Sequence, residues 1–183
     1  RALGGSRIAM IFQDSGSMLN PIRRIGRQFV DFIQTHKAVS KDAARARAVE
    51  MLTRMRLPDA ENIMDSYPFQ LSGGMRQRVG IAMAMVFEPD LLLADEPTSA
   101  LDVTTQAQIV RQMMALRQDF GTGIMIVTHN LGVAAYMADR IIVMQAGQIV
   151  ESGTREEVIF HPKQNYTKEL VAAVPELGGA RFV

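Results

Sequence analysis

The amino-acid sequence predicts an α/β fold in which a helical region is inserted between two strands of a parallel sheet. From about residue 20 to residue 88, apolar side chains recur at helical spacing. Beyond residue 88, short all-apolar runs alternate with amphipathic stretches, as in parallel strands that are buried on both faces and joined by helices. A chain of 183 residues is long enough to bury roughly 70% of its unfolded surface.

The composition narrows the class of protein further. With 48% hydrophobic and 21% charged residues, the chain is not of the largely disordered kind. It has no cysteine, which excludes disulfides, thiolate metal sites and cysteine nucleophiles within these residues. The first 56 residues carry 11 basic and 4 acidic side chains. Solvated helix faces are the favoured interpretation of this charge, and a nucleic acid or an anionic membrane surface is the alternative.

Three helices are predicted in the first half of the chain. Asn20 and Pro21 are typical of an N-cap and a first helical residue, and the apolar residues that follow are Ile22, Ile25, Phe29, Phe32 and Ile33. Ser40 is the predicted cap of the second helix, whose apolar stripe is Ala46, Val49, Leu52 and Met55. The third helix begins after Ser72, and its stripe is Val79, Ala82, Met83 and Val86.

Apolar runs predict three strands of the parallel sheet, at Ile8–Phe12, Leu91–Ala94 and Ile124–Val127. Between the last two, Asp102 is the predicted N-cap of a helix, so these strands should be parallel and joined by a right-handed crossover. A terminal hairpin that turns at residues 146–147 follows. A capping box at residues 154–157 then begins one more helix.

Polar side chains that suit phosphate chemistry follow the predicted strands. Gln13 follows the first strand, and Asp95 and Glu96 end the second. His129 follows the third. Ligands bind at the carboxyl ends of strands in open α/β sheets, where Asp95 suits hydrated Mg²⁺ and Glu96 suits activation of a water molecule. Taken singly, each of these residues is equally compatible with a strand that ends in a solvated turn.

A second group of residues predicts an anion site at the start of a helix. Ser72, Gly73 and Gly74 place backbone N–H groups at the positive end of a helix dipole, which favours a phosphate. Ser-Gly-Gly alone also fits a plain capped turn, whereas the whole string Leu71–Gln77 is much more specific. Ser99–Asp102 is the remaining stretch, and an N-cap role for Asp102 accounts for part of it.

In their order and spacing these stretches resemble the ATP-binding-cassette (ABC) ATPases over nearly the whole chain. Phe12-Gln13 is similar to the family's Q-loop and Leu71–Gln77 to its signature sequence. Leu91–Glu96 is similar to the Walker B strand, Ser99–Asp102 to the D-loop, and His129 to the switch histidine. The resemblance implies a P-loop NTPase (RecA-like) parallel-sheet core that is incomplete at the N-terminus and carries an inserted ABC helical subdomain.

The resemblance also implies a domain organisation. Residues 1–19 would be the end of a core strand and the Q-loop, and residues 20–88 the helical subdomain with the signature. Residues 89–162 would return to the core with Walker B, the D-loop and the switch histidine. Residues 163–183 would be a C-terminal extension.

ATP and Mg²⁺ are the cofactors that the resemblance implies, and each site residue takes a role toward them. Glu96 would activate the attacking water, His129 would contact the γ-phosphate, and Asp95 and Gln13 would hold Mg²⁺, with Gln13 also counted among the catalytic residues. The signature residues would bind the ATP of a second cassette, and they are Ser72, Gly73, Gly74 and Gln77. Ser99 and Asp102 would form the D-loop.

Within the family, the resemblance narrows to importers of peptides and nickel, on the stretches 11–21, 94–109 and 165–175. Ser15 stands where this subfamily usually has proline, and Asn130 where an acid is common. The implied partners are a second ABC ATPase subunit (identical or different), membrane permease subunits and, indirectly, a solute-binding protein, without nucleic acid. The implied location is peripheral, at the cytoplasmic face of the inner membrane.

The sequence contains no G-x-x-x-x-G-K-[ST] phosphate loop. In the family this loop lies upstream of the Q-loop, and only twelve residues precede Gln13 here. We therefore expect a C-terminal piece of a longer ATPase. Alone, such a piece should bind nucleotide poorly and hydrolyse almost none, because it lacks the backbone cradle and lysine that hold the phosphates.

Two functions of other classes stay open. A non-transport ABC protein of DNA repair or translation would share the same stretches, but it would usually insert a long coiled coil or a second cassette between Gln13 and Leu71. A non-catalytic interaction module descended from an ATPase would need no phosphate loop. Retention of Glu96 and His129 argues against that second alternative.

Overall fold

The computed structural model describes residues 4–13, 18–99 and 101–174. It divides the chain into two units, residues 1–127 and residues 128–183. In the first unit the described residues form three strands and five α-helices, namely β1 (Ile8–Ile11), α1 (Ile25–His36), α2 (Lys41–Arg54), α3 (Ala60–Asp65), α4 (Gly73–Met85), β2 (Leu91–Asp95), α5 (Val103–Phe120) and β3 (Gly123–Val127). A short 3₁₀ turn, Pro68–Gln70, precedes α4.

The three strands form one parallel sheet in the order β1-β2-β3. The parallel pairing of β2 with β3 confirms the prediction for these two strands. One face of the sheet is buried in its first two strands, where it carries Ala9, Ile11, Leu92 and Ala94. The other face is not covered, since Met10 and Met125 on it are exposed. The predicted burial on both faces therefore differs between strands of the described residues: β2 has no exposed residue, whereas β3 exposes Met125 and Val127.

Helix α1 begins four residues later than predicted. The side chain of Asn20 accepts a hydrogen bond from the backbone N–H of Ile22 at 3.1 Å, and its carbonyl accepts one from Arg23 at 3.2 Å. Gln28 closes this turn by bonding both backbone groups of Asn20. Asn20 thus caps a turn instead of the helix, and Ile22 is 82% exposed instead of lying on the buried stripe.

Helix α2 is capped as predicted, because the Ser40 hydroxyl accepts a hydrogen bond from the N–H of Ala43 at 3.1 Å. Its buried side is rotated from the predicted stripe. Ala46 is exposed, and the buried residues of the helix are Ala44, Ala48, Met51 and Leu52. The sequence did not predict α3, whose N-cap Asp59 adopts a left-handed conformation with φ of 49°.

In the second unit the described residues form α6 (Leu131–Met137), β4 (Arg140–Gln145), β5 (Gln148–Thr154), α7 (Arg155–Phe160) and α8 (Asn165–Ala172). The predicted hairpin is confirmed: β4 and β5 are antiparallel, and Ala146 and Gly147 turn the chain with φ of 50° and 79°. The capping box of Thr154 and Glu157 is confirmed at the start of α7. Helices α6 and α8 were not predicted.

The helical region packs in the same unit as the parallel sheet. Helix α2 packs against α1 and α4, and α4 packs against β1. The predicted domain boundaries after residues 19, 88 and 162 stay predictions. None of the helices within the described ranges is both long and apolar enough to cross a membrane.

Candidate functional site

The ends of β1 and β2 bring Gln13 and Glu96 together. Ile11 lies opposite Ala94 in the parallel ladder, so the residues that follow both strands emerge at one edge of the sheet. There the side-chain amide of Gln13 donates a long hydrogen bond to the Glu96 carboxylate, with 3.4 Å between Nε2 and Oε2. Two residues that are 83 positions apart in the sequence thus share one site.

The backbone of Glu96 is held in an unusual conformation. Its φ is +42°, in the left-handed region that side-chain-bearing residues rarely adopt. Its N–H donates to the carbonyl of Val127 at 2.8 Å, and its carbonyl accepts from the N–H and hydroxyl of Ser99 at 3.3 and 3.2 Å. These bonds hold the backbone of Glu96 in a left-handed conformation, which costs about 1–2 kcal/mol for a residue with a Cβ. Such strain is typical of functional positions.

Asp95 is the last residue of β2 and is partly buried. The oxygen donors at this edge fit Mg²⁺, which takes one or two carboxylates and keeps water and phosphate as its other ligands. A fuller protein-only cage is not expected for such a site. In the described parts of the chain, no group of three His, Asp or Glu side chains is arranged to hold a metal ion.

Ser72, Gly73 and Gly74 begin helix α4 as predicted. Ser72 is the N-cap, and its hydroxyl accepts a hydrogen bond from the N–H of Met75 at 3.3 Å. The guanidinium of Arg76 donates to the carbonyl of Leu71 at 2.6 Å and so holds the chain that enters the helix. A Cβ added at Gly73 would meet open space, whereas one at Gly74 would lie 2.6 Å from Cγ2 of Thr105.

Gln77, predicted among the nucleotide-binding residues, has a side chain that is engaged within the chain. Its side chain is buried and donates a hydrogen bond to the carbonyl of Pro97 in the loop after β2. The amide of Gln77 therefore joins the signature helix to the chain next to Glu96. The side chain of Gln77 does not face solvent in this structure, and its role toward nucleotide stays a prediction.

The stretch predicted as the D-loop is ordered by hydrogen bonds around Asp102. This residue caps α5, accepting from the backbone N–H of Thr105 at 3.0 Å and from its hydroxyl at 2.7 Å. The hydroxyl bond, followed by the backbone bond, holds the pKa of Asp102 below its usual value. Ser99 is exposed, and Ala100 lies outside the described residues. Thr105, whose methyl group also lies close to Gly74, was not among the site residues predicted from the sequence.

His129 is exposed and lies two residues after the end of β3, at the start of the second unit. The next residue, Asn130, caps α6 by accepting from the N–H groups of Gly132 and Val133 at 2.9 and 3.3 Å. Amide and carboxylate oxygens cap helices about equally well, which accounts for asparagine in place of an acid here. The role of His129 stays a prediction.

A parallel sheet with polar side chains after its strands, together with a helix that begins at an exposed glycine, is the kind of α/β fold that P-loop NTPases have. Residues 2–99 match the family model described as ABC transporter. The chain belongs to the ABC transporter family.

Curated relatives are similar along almost the whole chain. The probable D,D-dipeptide transport ATP-binding protein DdpD of Escherichia coli (strain K12) is 47% identical over 97% of this chain. The glutathione import ATP-binding protein GsiA of the same strain is 46% identical over 99% of this chain. The chain spans 54% of the first relative and 29% of the second, about half of their length or less.

Solved ABC structures share the fold. The dimeric post-hydrolysis state of the ATP-binding cassette MJ0796 bound to ADP and Pi is 31% identical, with a TM-score of 0.71 over 82% of this chain and 64% of that chain. The cbiO1 protein of Clostridium perfringens, part of the transporter complex cbiONQ, is 29% identical, with a TM-score of 0.72 over 86% of this chain and 60% of that chain.

Proposed function

We propose that the chain is the part of an ABC importer's ATPase subunit that carries the signature and the water-activating carboxylate, and that the whole protein energises peptide uptake. The observation that carries the proposal is the contact between Gln13 and Glu96 at the ends of adjacent parallel strands. The fixed left-handed backbone of Glu96 supports a chemical role for that carboxylate.

Different residues of this chain have different roles in binding and hydrolysing ATP. Asp95, with the amide oxygen of Gln13, would hold Mg²⁺, which neutralises developing charge on the phosphates. Glu96 accepts a proton from the attacking water, and Gln13 holds the Glu96 carboxylate in place. The N-terminus of α4 binds a phosphate of the ATP held by a second cassette, through backbone N–H groups at Gly73 and Gly74. His129 contacts the γ-phosphate.

The 183 residues alone should show no measurable steady-state ATPase activity and only weak nucleotide binding. The reason is chemical: no phosphate loop with its lysine occurs among them. Calorimetry of the chain with ATP, with and without Mg²⁺, measures this directly. Tight, Mg²⁺-dependent binding would contradict it.

Replacing Glu96 with Gln in the whole protein tests the proposed mechanism. The substitution keeps size and hydrogen bonding but removes the proton acceptor, which typically costs about 10²–10⁴-fold in rate. ATP should bind at least as well, because one negative charge beside the triphosphate is lost. We expect a dimer that forms with ATP and persists, measured by size exclusion alongside phosphate release.

Two matched variants complete this experiment. Asp95→Asn should weaken Mg²⁺-dependent binding together with turnover, and Glu50→Gln, at an exposed carboxylate of α2, should change neither. Hydrolysis by Glu96→Gln at near the parent rate would contradict the role of Glu96. Dimerisation by Asp95→Asn with ATP, but not by Glu96→Gln, would contradict both assignments.

Peptide import is the function that the relatives favour, since those described above are named for dipeptide transport and glutathione import. Neither of these names supports nickel as the solute. The partners would be a second ATPase subunit at the α4 N-terminus, permease subunits, and a solute-binding protein acting through the permease. The subunit would lie at the cytoplasmic face of the inner membrane.

The helical region supports transport over the alternative of a DNA-repair or translation ATPase. The described residues between Gln13 and Leu71 form helices of at most 14 residues, and none is a long coiled coil. A protein that binds nucleic acid through an insertion would need a larger one here. The interaction-module alternative gives no reason for the Gln13–Glu96 contact.

A further inference from the structure

Glu96 begins a tight turn, residues 96–99, whose shape is fixed by its own hydrogen bonds. The carbonyl of Glu96 accepts from the backbone N–H and the hydroxyl of Ser99, at 3.3 and 3.2 Å. Pro97 stands at the second position of the turn, where a proline ring presets the φ that such turns need. Pro97 and Thr98 are both buried. A displacement of either residue is therefore passed on to Glu96.

Glu96 also joins this turn to the sheet, and the two attachments together set the direction of its side chain. On the sheet side its N–H donates to the carbonyl of Val127 at 2.8 Å, which fixes the nitrogen. Its φ of +42° and the direction of its Cβ then depend on where the turn lies. Because the left-handed conformation is unfavourable for a residue with a Cβ, an unrestrained turn would relax and redirect the carboxylate. The groups that hold the turn thus hold Glu96 beside Gln13.

Two glutamine side chains hold the turn, one from α4 and one from α5. The amide of Gln77 on α4 donates to the carbonyl of Pro97. The amide of Gln106 on α5 donates to the hydroxyl of Thr98, with 2.8 Å between Nε2 and Oγ1. The side chains of Gln77 and Thr98 are buried, with only 6% and 2% of these residues exposed. Hydrogen bonds in such surroundings are stronger than in water, and removing the donor leaves a buried acceptor unsatisfied.

The two helices begin against each other close to these anchors. A Cβ added at Gly74 would lie 2.6 Å from Cγ2 of Thr105, the residue before Gln106. Gln77 follows Gly74 by three residues, about one helical turn. The turn of residues 96–99 is therefore attached to both helices near the place where they touch, and the start of α4 is connected through Gln77 to the chain beside Glu96.

We propose that Gln77 and Gln106 are positioning residues for Glu96. Each anchors one residue of the turn, and together they keep the carboxylate where it meets Gln13. The inference rests on the proposed function, in which Glu96 accepts the proton of the attacking water. It gives Gln77 a task within its own cassette that requires no contact with nucleotide. An amide suits both positions, because it supplies a donor without bringing a charge into a buried place.

Steady-state kinetics of the whole protein test the role of Gln77. Gln77→Met keeps the length of the side chain but removes the donor. We expect kcat to fall about tenfold or more, since displacing a catalytic group by roughly 1 Å can cost about 10²-fold. KM for ATP should stay unchanged, because no contact with ATP is removed. The matched control is Gln112→Met: Gln112 is a buried glutamine of α5 whose Oε1 has no hydrogen-bond partner within the described residues, and its loss should leave kcat unchanged.

The bond between Gln106 and Thr98 can be removed from either end. Gln106→Met removes the donor and Thr98→Val removes the hydroxyl, and each should lower kcat. If this bond positions the turn, the double variant should be no slower than the slower of the two single variants. Additive losses would overturn the role of Gln106. A raised KM with unchanged kcat in Gln77→Met would overturn that of Gln77 and indicate a contact with nucleotide instead.

Amide hydrogen exchange of the whole protein without ATP separates this inference from the proposed function. In Gln77→Met, the N–H groups of Glu96 and Ser99 should exchange about tenfold faster or more, because both of their bonds depend on an anchored turn. In Gln112→Met they should exchange as in the parent. A parent without ATPase activity would contradict the proposed function, whereas the exchange rates would still decide whether Gln77 anchors the turn. Unchanged exchange at Glu96 and Ser99 in Gln77→Met would overturn the inference.

Discussion

At the scale of single residues, the two signature glycines differ in what surrounds them. A methyl group at Gly74 would collide with Cγ2 of Thr105, whereas one at Gly73 meets nothing within 4 Å. Gly74→Ala should lower the free energy of unfolding by about 1–3 kcal/mol through overpacking. Gly73→Ala should leave it unchanged or raise it slightly, because alanine is the better helix former. Urea unfolding of both variants measures the difference.

This contrast separates folding from ligand binding at the signature. In the whole protein, a loss of ATPase activity in Gly73→Ala cannot be attributed to folding, so it would report a phosphate or partner close to that position. If Gly73→Ala destabilised the chain as much as Gly74→Ala, the open surroundings of Gly73 would be wrong.

The sequence singled out candidate site residues by their position but did not predict their contacts. Gln13, Asp95 and Glu96 were chosen because the order and spacing of the stretches that contain them match the family, since each stretch alone is a weak signal. The burial of Gln77 against Pro97 was not predicted, because a glutamine on a helix gives no local sign that a loop 20 residues away packs on it. The left-handed backbone of Glu96 was also missed, since only glycine or asparagine signals that conformation in a sequence.

At the scale of elements, the cap of α5 predicts a pH dependence. The pKa of Asp102 is lowered in the folded chain, first by the hydroxyl of Thr105 and then by its backbone N–H. A depressed folded pKa means that the carboxylate stabilises the fold above its unfolded pKa of about 3.9. That contribution is lost as the pH falls through the folded pKa.

Thr105→Val tests this cap, because valine keeps the shape of the side chain beside Gly74 but removes the hydroxyl. The pKa of Asp102, followed by NMR titration, should move up toward its ordinary value, and the stability lost on acidification should shrink. Thr104→Val, at an exposed position of the same helical turn, is the control and should leave the titration unchanged. An unchanged titration in Thr105→Val would show that the hydroxyl does not set the pKa.

The start of a helix was predicted correctly where a single capping residue determines it. The start and the buried side were misassigned where contacts with distant residues determine them. Ser40 caps α2 as predicted because its hydroxyl needs only the N–H three residues on. The buried side of α2 was misassigned, since alanines at positions 43, 44, 46 and 48 fit more than one face. The start of α1 was misplaced because Gln28, eight residues away, stabilises the turn at Asn20.

At the scale of the whole molecule, we expect the helical region around Met18–Phe69 to form the permease contact. This region presents an exposed Ile22 and an exposed Phe69, whose ring stacks on Tyr67 beneath the guanidinium of Arg24. An apolar permease segment with an acidic residue would fit these groups. Single cysteines at positions 22 and 69 of the whole protein should crosslink to a permease loop. Crosslinks formed only from residues 139–183 would contradict this assignment.

The parallel order of the strands was predictable at this scale, but the coverage of the sheet was not. Two apolar runs joined by a helix favour parallel pairing of the two strands, because a helix is the usual crossover between parallel neighbours. The same runs were taken to mean burial on both faces. Among the described residues, Met125 and Val127 of β3 are exposed on one face of the sheet. The number of apolar residues in a strand does not show whether one face or both faces of the strand are covered.

At Glu96, the residue type that best suits the backbone conformation is not the one that supplies the carboxylate. A glycine there would adopt the same φ without the Cβ clash, so Glu96→Gly should make folding more favourable by about 1 kcal/mol even as the carboxylate disappears. A search for thermostable variants would therefore tend to select the loss of this side chain. Selection for heat resistance would favour glycine at position 96, whereas selection for turnover would favour glutamate. A chain that keeps glutamate here therefore has a less stable fold than its glycine variant.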